Sequence, residues 1–140
     1  MVPDINIWAV VVATLSTLVV GSVWYTPKVF GTLWMRLAHV SPGGDSASAV
    51  RPILLTVVVS FVTAWVLAGC AAIAHSFYGG SFVTSAFVTG VILWAGFTAA
   101  RFVTHDAFEG RPAALTLLNI AHELVTVLVM CLVIGLFGIG

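Results

Sequence analysis

Long apolar runs alternate with short polar connections along this chain, and four of the runs are long enough to cross a bilayer. Residues 5–25, 53–74 and 82–100 carry no charged side chain, and a fourth run extends from Pro112 to about Phe137. A helix of about 20 apolar residues spans a hydrocarbon core. No strand-like alternation is present, and an open sheet would strand its backbone donors in lipid, so helices are the expected form. The expectation is an all-α integral membrane fold, one domain over residues 1–140, with transmembrane helices at about 5–26, 52–75, 81–103 and 112–137.

The connection after the first run has a pattern of its own. Trp24 and Tyr25 place an aromatic pair at headgroup depth, and Pro27 ends the helix. Phe30, Leu33, Trp34 and Leu37 then recur at helical spacing with Lys28, Arg36 and His39 among them. That pattern predicts a short amphipathic helix lying on the inner membrane surface. Residues 41–46 read as a flexible loop, and Pro52 is expected in the first turn of the second span.

Composition agrees with the pattern. The chain is 61% hydrophobic and 7% charged, against about 25% charged in soluble domains, and its mean hydropathy is +1.16. Five basic and five acidic residues balance, so nothing invites nucleic acid. Lys28, Arg36 and Arg51 lie in the first connection, and Arg101 and Arg111 flank the last. The positive-inside rule makes both connections cytoplasmic and puts both termini outside. The first run lacks a positive leader and a cleavage site, so it is expected to be retained as a helix.

The run Trp24-Tyr25-Thr26-Pro27-Lys28-Val29-Phe30-Gly31-Thr32-Leu33-Trp34 resembles the W-Y-x-P-x-x-F-G-x-x-W signature of the domain of unknown function 1761 family. Trp24, Tyr25, Pro27, Phe30, Gly31 and Trp34 carry that likeness. Phe108 to Pro112, followed by Leu115, Leu118 and Asn119, resembles the start of that family's last helix. The family pattern has an aromatic and then a His in the middle of that helix, where this chain has His122 and Glu123. The resemblance implies a four-helix bacterial protein of the inner (plasma) membrane and brings no activity with it.

The ionisable residues are the candidate chemistry. Glu123 lies eleven residues past Pro112, about 16 Å along a helix and so near the middle of a bilayer. The same depth falls at residues 14–17, at Ser60 to Thr63, and at Trp94. Asn119, Glu123 and Thr126 share one face of the last helix. A polar layer of Glu123, Asn119, Thr126, Thr63 and Ser60 is therefore expected, either as a solute or proton site or as interhelical hydrogen bonding. His122 points about 100° away from Glu123 and is a candidate for the same site or for a helix-interface bond. His105 and Glu109 are expected in a solvated turn rather than on a metal. Cys70 and Cys131 read as small buried hydrophobes.

No phosphate loop, nucleophile elbow or metalloprotease helix is present, so neither an enzyme nor a cofactor is expected. Two classes remain. One is a channel or proton-coupled transporter of a small polar or cationic solute; the other is an accessory or scaffold subunit binding a partner protein or lipid. The expected partners are the lipid bilayer and further copies of the chain, because Ala64, Ala68, Ala72, Ala86 and Gly90 form small-residue rows suited to close helix packing.

Overall fold

The computed structural model describes residues 3–44 and 46–140. Its elements are helices: α1 (Ile7–Trp24), α2 (Gly31–Ala38), α3 (Ser46–Tyr78), α4 (Phe82–Phe108) and α5 (Ala113–Phe137). Four of them, α1, α3, α4 and α5, are long and apolar enough to cross a membrane. Asn6 starts α1 by accepting the backbone N–H groups of Trp8 and Ala9, so the first turn needs no other partner.

The four long helices form a ring in chain order. α1 packs on α3 and α5, α4 packs on the same two, and α3 and α5 barely touch across the diagonal. Residues 3–6 and the end of α5 meet at one end of the bundle, where Asn6 Nδ2 donates to the Phe137 carbonyl at 3.4 Å. The other end carries α2 and the basic residues. These are called here the terminal end and the basic end.

The terminal half is sealed by small side chains. Ala9 and Ala13 of α1 share a fully buried core with Ala64, Ala68 and Ala71 of α3, Ala86 of α4, and Met130, Cys131 and Ile134 of α5. Close approach replaces hydrophobic drive when the surroundings are themselves apolar. At Gly90 of α4 an added Cβ would run into Cys131 Sγ, and at Gly135 of α5 it would come within 3.0 Å of Val83 Cα. The small-residue rows are thus occupied inside a single copy.

Two local expectations are corrected. Pro52 stands inside α3, which begins at Ser46, rather than in its first turn; the missing rung lies near an exposed helix start, where its loss matters least. α4 continues to Phe108, so His105 is exposed on its last helical turn, while Glu109 stands exposed in the turn that follows. Asp106 is 93% buried by the complement of its 7% exposure, because Thr116 Oγ1 donates to its Oδ2 at 2.7 Å and Arg111 N donates to its carbonyl at 2.9 Å. Arg111 Nε also donates to Glu109 Oε2 at 2.6 Å, and this bond raises the guanidinium above its ordinary pKa. The cluster staples α4 to α5. Among the described residues no three His, Cys, Asp or Glu side chains form a metal-holding group, and Asp45 lies outside the described residues.

α4 widens into a π-helical turn over Trp94–Ala99. There Trp94 Nε1 donates to the Ile120 carbonyl of α5 at 3.0 Å, which ties the widened turn to the helix bearing Glu123. The sealed half yields the first prediction. Gly90→Ala should lower the unfolding free energy in mild detergent by about 1–3 kcal/mol through overpacking. In a Cys131→Ala background the added methyl has room, and most of the loss should vanish. Equal losses in both backgrounds would show that the Cys131 contact is not the cause.

Candidate cleft at the basic half

α3 parts from the bundle on its way to the basic end. Residues 47–59 are exposed except for the half-buried Val57, and Ser60 is the first buried position. Thirteen residues of helix extend about 20 Å, so the separation reaches well into the apolar span. The last polar tie between the two helices is Thr17 Oγ1 to Ser60 Oγ at 3.0 Å. Beyond it lies a recess of about 530 Å³ between α1, α3 and α5. A second groove, of about 430 Å³, runs along the other side of α3 past Thr63 and Trp94.

The first recess gathers most of the expected site residues. Glu123, His122, Thr126, Ser60 and Thr63 all line it, and Asn119 is reached through Tyr25, whose hydroxyl donates to Asn119 Oδ1 at 3.4 Å. Glu123 and His122 share the cleft even though they are adjacent on the helix: His122 Nδ1 lies 3.6 Å from Glu123 Oε1. That separation is too long for a hydrogen bond. The Glu123 side chain is 37% exposed and the His122 side chain 15%.

His122 is boxed by the aromatic motif. Its ring centroid lies 4.9 Å from that of Tyr25 and 5.8 Å from that of Trp24, with Gly21 beside Nε2. Trp24 stacks on Phe30 at 4.5 Å, and Tyr25 meets Trp34 of α2 edge-on at 5.4 Å. The turn that places them begins at Pro27 and closes through Phe30 N to Trp24 O at 3.0 Å and Gly31 N to Thr26 O at 2.8 Å. A Cβ on Gly31 would strike the Tyr25 carbonyl and the Thr26 backbone. Only glycine fits there.

Thr17, at the expected depth on α1, lines the recess, and three further lining residues carry no such expectation: Gly21, Ser22 and Thr56. The signal for the α1 members was available, because Thr14, Thr17, Gly21 and Tyr25 recur every three or four residues as a small or polar stripe. Thr126 is 8% exposed and its Oγ1 has no partner among the described residues; His122 Nε2 and Trp24 Nε1 are likewise buried and unpaired among them. Buried polar atoms are seldom left so. Arg101 is exposed on α4 and makes no ion pair with Glu123 among the described residues.

The helices and the cleft define the class: a four-helix, membrane-type protein with a polar recess in one half. The family described as Protein of unknown function (DUF1761) matches residues 8–135, and the chain belongs to that family. No curated protein and no solved structure matches it.

The hydroxyls at the recess make opposite predictions. Thr126→Val deletes an unpaired oxygen while keeping the shape, so thermal stability in detergent should be unchanged or higher. Thr17→Val leaves Ser60 without its partner and should lower stability by about 1–3 kcal/mol. Equal destabilisation by the two variants would mean that Thr126 Oγ1 is bonded in the folded protein.

Proposed function

We propose that this protein carries a small polar or cationic solute across the bacterial plasma membrane, with the cleft as its binding site and Glu123 as the proton- or cation-binding group. The observation that supports the reading is the state of Glu123. A carboxyl held midway along an apolar helix for packing alone would be sealed and hydrogen-bonded. This one is 37% exposed to a recess, and its side chain makes no hydrogen bond among the described residues. Ionisable groups placed this way inside apolar spans mark solute and proton paths.

A carrier fits better than an open channel. The terminal half is closed by the alanine-lined core, and the Thr17–Ser60 contact roofs the recess, so access is from one side at a time. The basic end is read as cytoplasmic from Lys28, Arg36, Arg51, Arg101 and Arg111. α2 is read as an amphipathic helix at that surface, with Leu33, Trp34 and Leu37 half-buried and Arg36 exposed.

Two measurements test this. In a background lacking Cys70 and Cys131, a cysteine at Ser41 should be shielded from impermeant thiol reagents in intact cells, and one at Ser81 should be labelled. The opposite labelling would invert the orientation. In proteoliposomes, Glu123→Gln should leave a folded protein whose solute flux no longer responds to pH, and Glu123→Ala should lose flux altogether. Proton exchange on solute addition that is the same in wild type and Glu123→Gln would overturn the carrier reading.

A further inference from the structure

The lining of the recess is one-sided in its hydrogen bonding. A hydroxyl has one proton to donate, and here nearly all of those protons are engaged. Ser22 Oγ donates to the Leu18 carbonyl at 2.6 Å, Thr56 Oγ1 to Pro52 at 2.8 Å, and Thr63 Oγ1 to Val59 at 3.0 Å. Thr17 Oγ1 donates within the bundle, with the Thr14 carbonyl at 2.7 Å and Ser60 Oγ at 3.0 Å as its acceptors. Tyr25 is turned to Asn119. What these oxygens offer the recess is lone pairs.

Glu123 adds a carboxyl, and no Lys or Arg is among the described residues that line the space. Thr126 Oγ1, 92% buried by the complement of its 8% exposure and without a partner, stands one turn from Glu123 on the same face. Apart from His122, whose Nδ1 lies 3.6 Å from Glu123 Oε1, the rest of the wall is mostly aliphatic: Leu18, Ile53, Leu55, Val59, Val127 and Met130. The gap that leads to it lies beside the stretch of α3 that is exposed on nearly every side.

We infer that the cleft takes a lipophilic organic cation, an alkylammonium with an apolar body, which enters sideways past α3 and sets its charged head against Glu123 and Thr126. An ammonium supplies three donors, a positive charge and no acceptor, which suits a space with one carboxyl, no Lys or Arg, and hydroxyls at Thr17, Ser22, Thr56 and Thr63 that have already committed their protons. The tail covers the aliphatic wall, and Tyr25 at the rim presents an aromatic face to a cation. A carboxylate ligand would meet the Glu123 carboxyl and hydroxyls whose protons are committed, with only Thr126 and His122 left to donate to it. An alcohol would supply one donor and no charge. This inference rests on the carrier reading and narrows its solute to one chemical class.

The test is equilibrium dialysis of the full chain in zwitterionic nanodiscs, with protein-free nanodiscs subtracted. The ligands are n-octylammonium, n-octanol, octanoate, methylammonium and sodium. Saturable binding of octylammonium is expected, weaker for octanol and methylammonium and absent for octanoate. Glu123→Gln should weaken octylammonium binding by at least about tenfold, the worth of a charge-assisted hydrogen bond. Thr126→Val should weaken it a few-fold while its helicity and elution profile match wild type. Octanoate binding as well as octylammonium, or octylammonium binding unchanged in Glu123→Gln, would overturn the inference. Methylammonium or sodium binding through Glu123 as tightly as octylammonium would also overturn it, yet would leave the carrier reading standing. No Glu123-dependent binding of any of the five would remove both.

Discussion

A hydroxyl surrounded by hydrocarbon has no partner outside the protein, and most of the polar chemistry of this bundle follows from that. Thr14, Ser16, Thr17, Ser22, Thr56 and Thr63 each turn back to a carbonyl three or four residues earlier on their own helix. The bond satisfies the donor locally and lets the side chain sit on an apolar helix at little cost. It also fixes what the oxygen can do next. Once its proton is committed, the group is an acceptor only, and a recess lined by such groups acquires a preference that none of them has alone. The exceptions then stand out. Of the four buried polar atoms without a partner among the described residues, His122 Nε2, Thr126 Oγ1 and Trp24 Nε1 lie at or beside the recess, and His75 Nδ1 lies near the far end of α3.

The recess itself comes from a mismatch of lengths. α3 has 33 residues, about 50 Å of helix against a hydrocarbon core of about 30 Å. A helix that long either projects from the bundle or leans. Its terminal half is anchored by Ala64, Ala68 and Ala71, which hold it close to α1 and α4. The anchoring row stops at Ser60. Before that point the sequence offers Ile53, Leu54, Leu55, Val58 and Val59, side chains too bulky for the same close approach and exposed around the helix. Tight packing at one end and bulk at the other make the two halves of the bundle unlike, one closed and one open.

This explains which parts of the structure could be read in the sequence. Length and apolarity disclose a spanning helix directly, so the four long helices are legible. Helical periodicity puts Asn119, Glu123 and Thr126 on one face, and counting 1.5 Å per residue brings Ser60 and Thr63 to a similar depth. The cleft is another matter. Residues 47–59 of α3 offer only Ser48, Arg51 and Thr56 as polar positions, spread too widely around the helix to mark the side turned toward the bundle. His122 was hard to place for a related reason. An offset of about 100° describes where the side chains leave the helix, but α5 is flanked by α1 on one side and faces the opening on the other. A recess that wraps the helix admits neighbours pointing different ways, and the 3.6 Å between His122 and Glu123 results. Asp106 escaped because its partner, Thr116, lies across a turn whose geometry depends on Gly110 at φ 67.

The aromatic motif that carries the family likeness also acquires a physical role. Gly31, with no Cβ, lets the backbone at Tyr25 and Thr26 fold back on the start of α2. That closure carries Trp24 and Tyr25 onto His122, and Trp34 holds Tyr25 from the other side. Tyr25 in turn forms part of the rim of the recess and reaches Asn119. The motif is therefore more than an anchor at headgroup depth. It joins a short helix at the basic end to the polar layer midway along α5 through two packed rings. A displacement of α2 moves Tyr25, and with Tyr25 goes one wall of the recess that Glu123 lines.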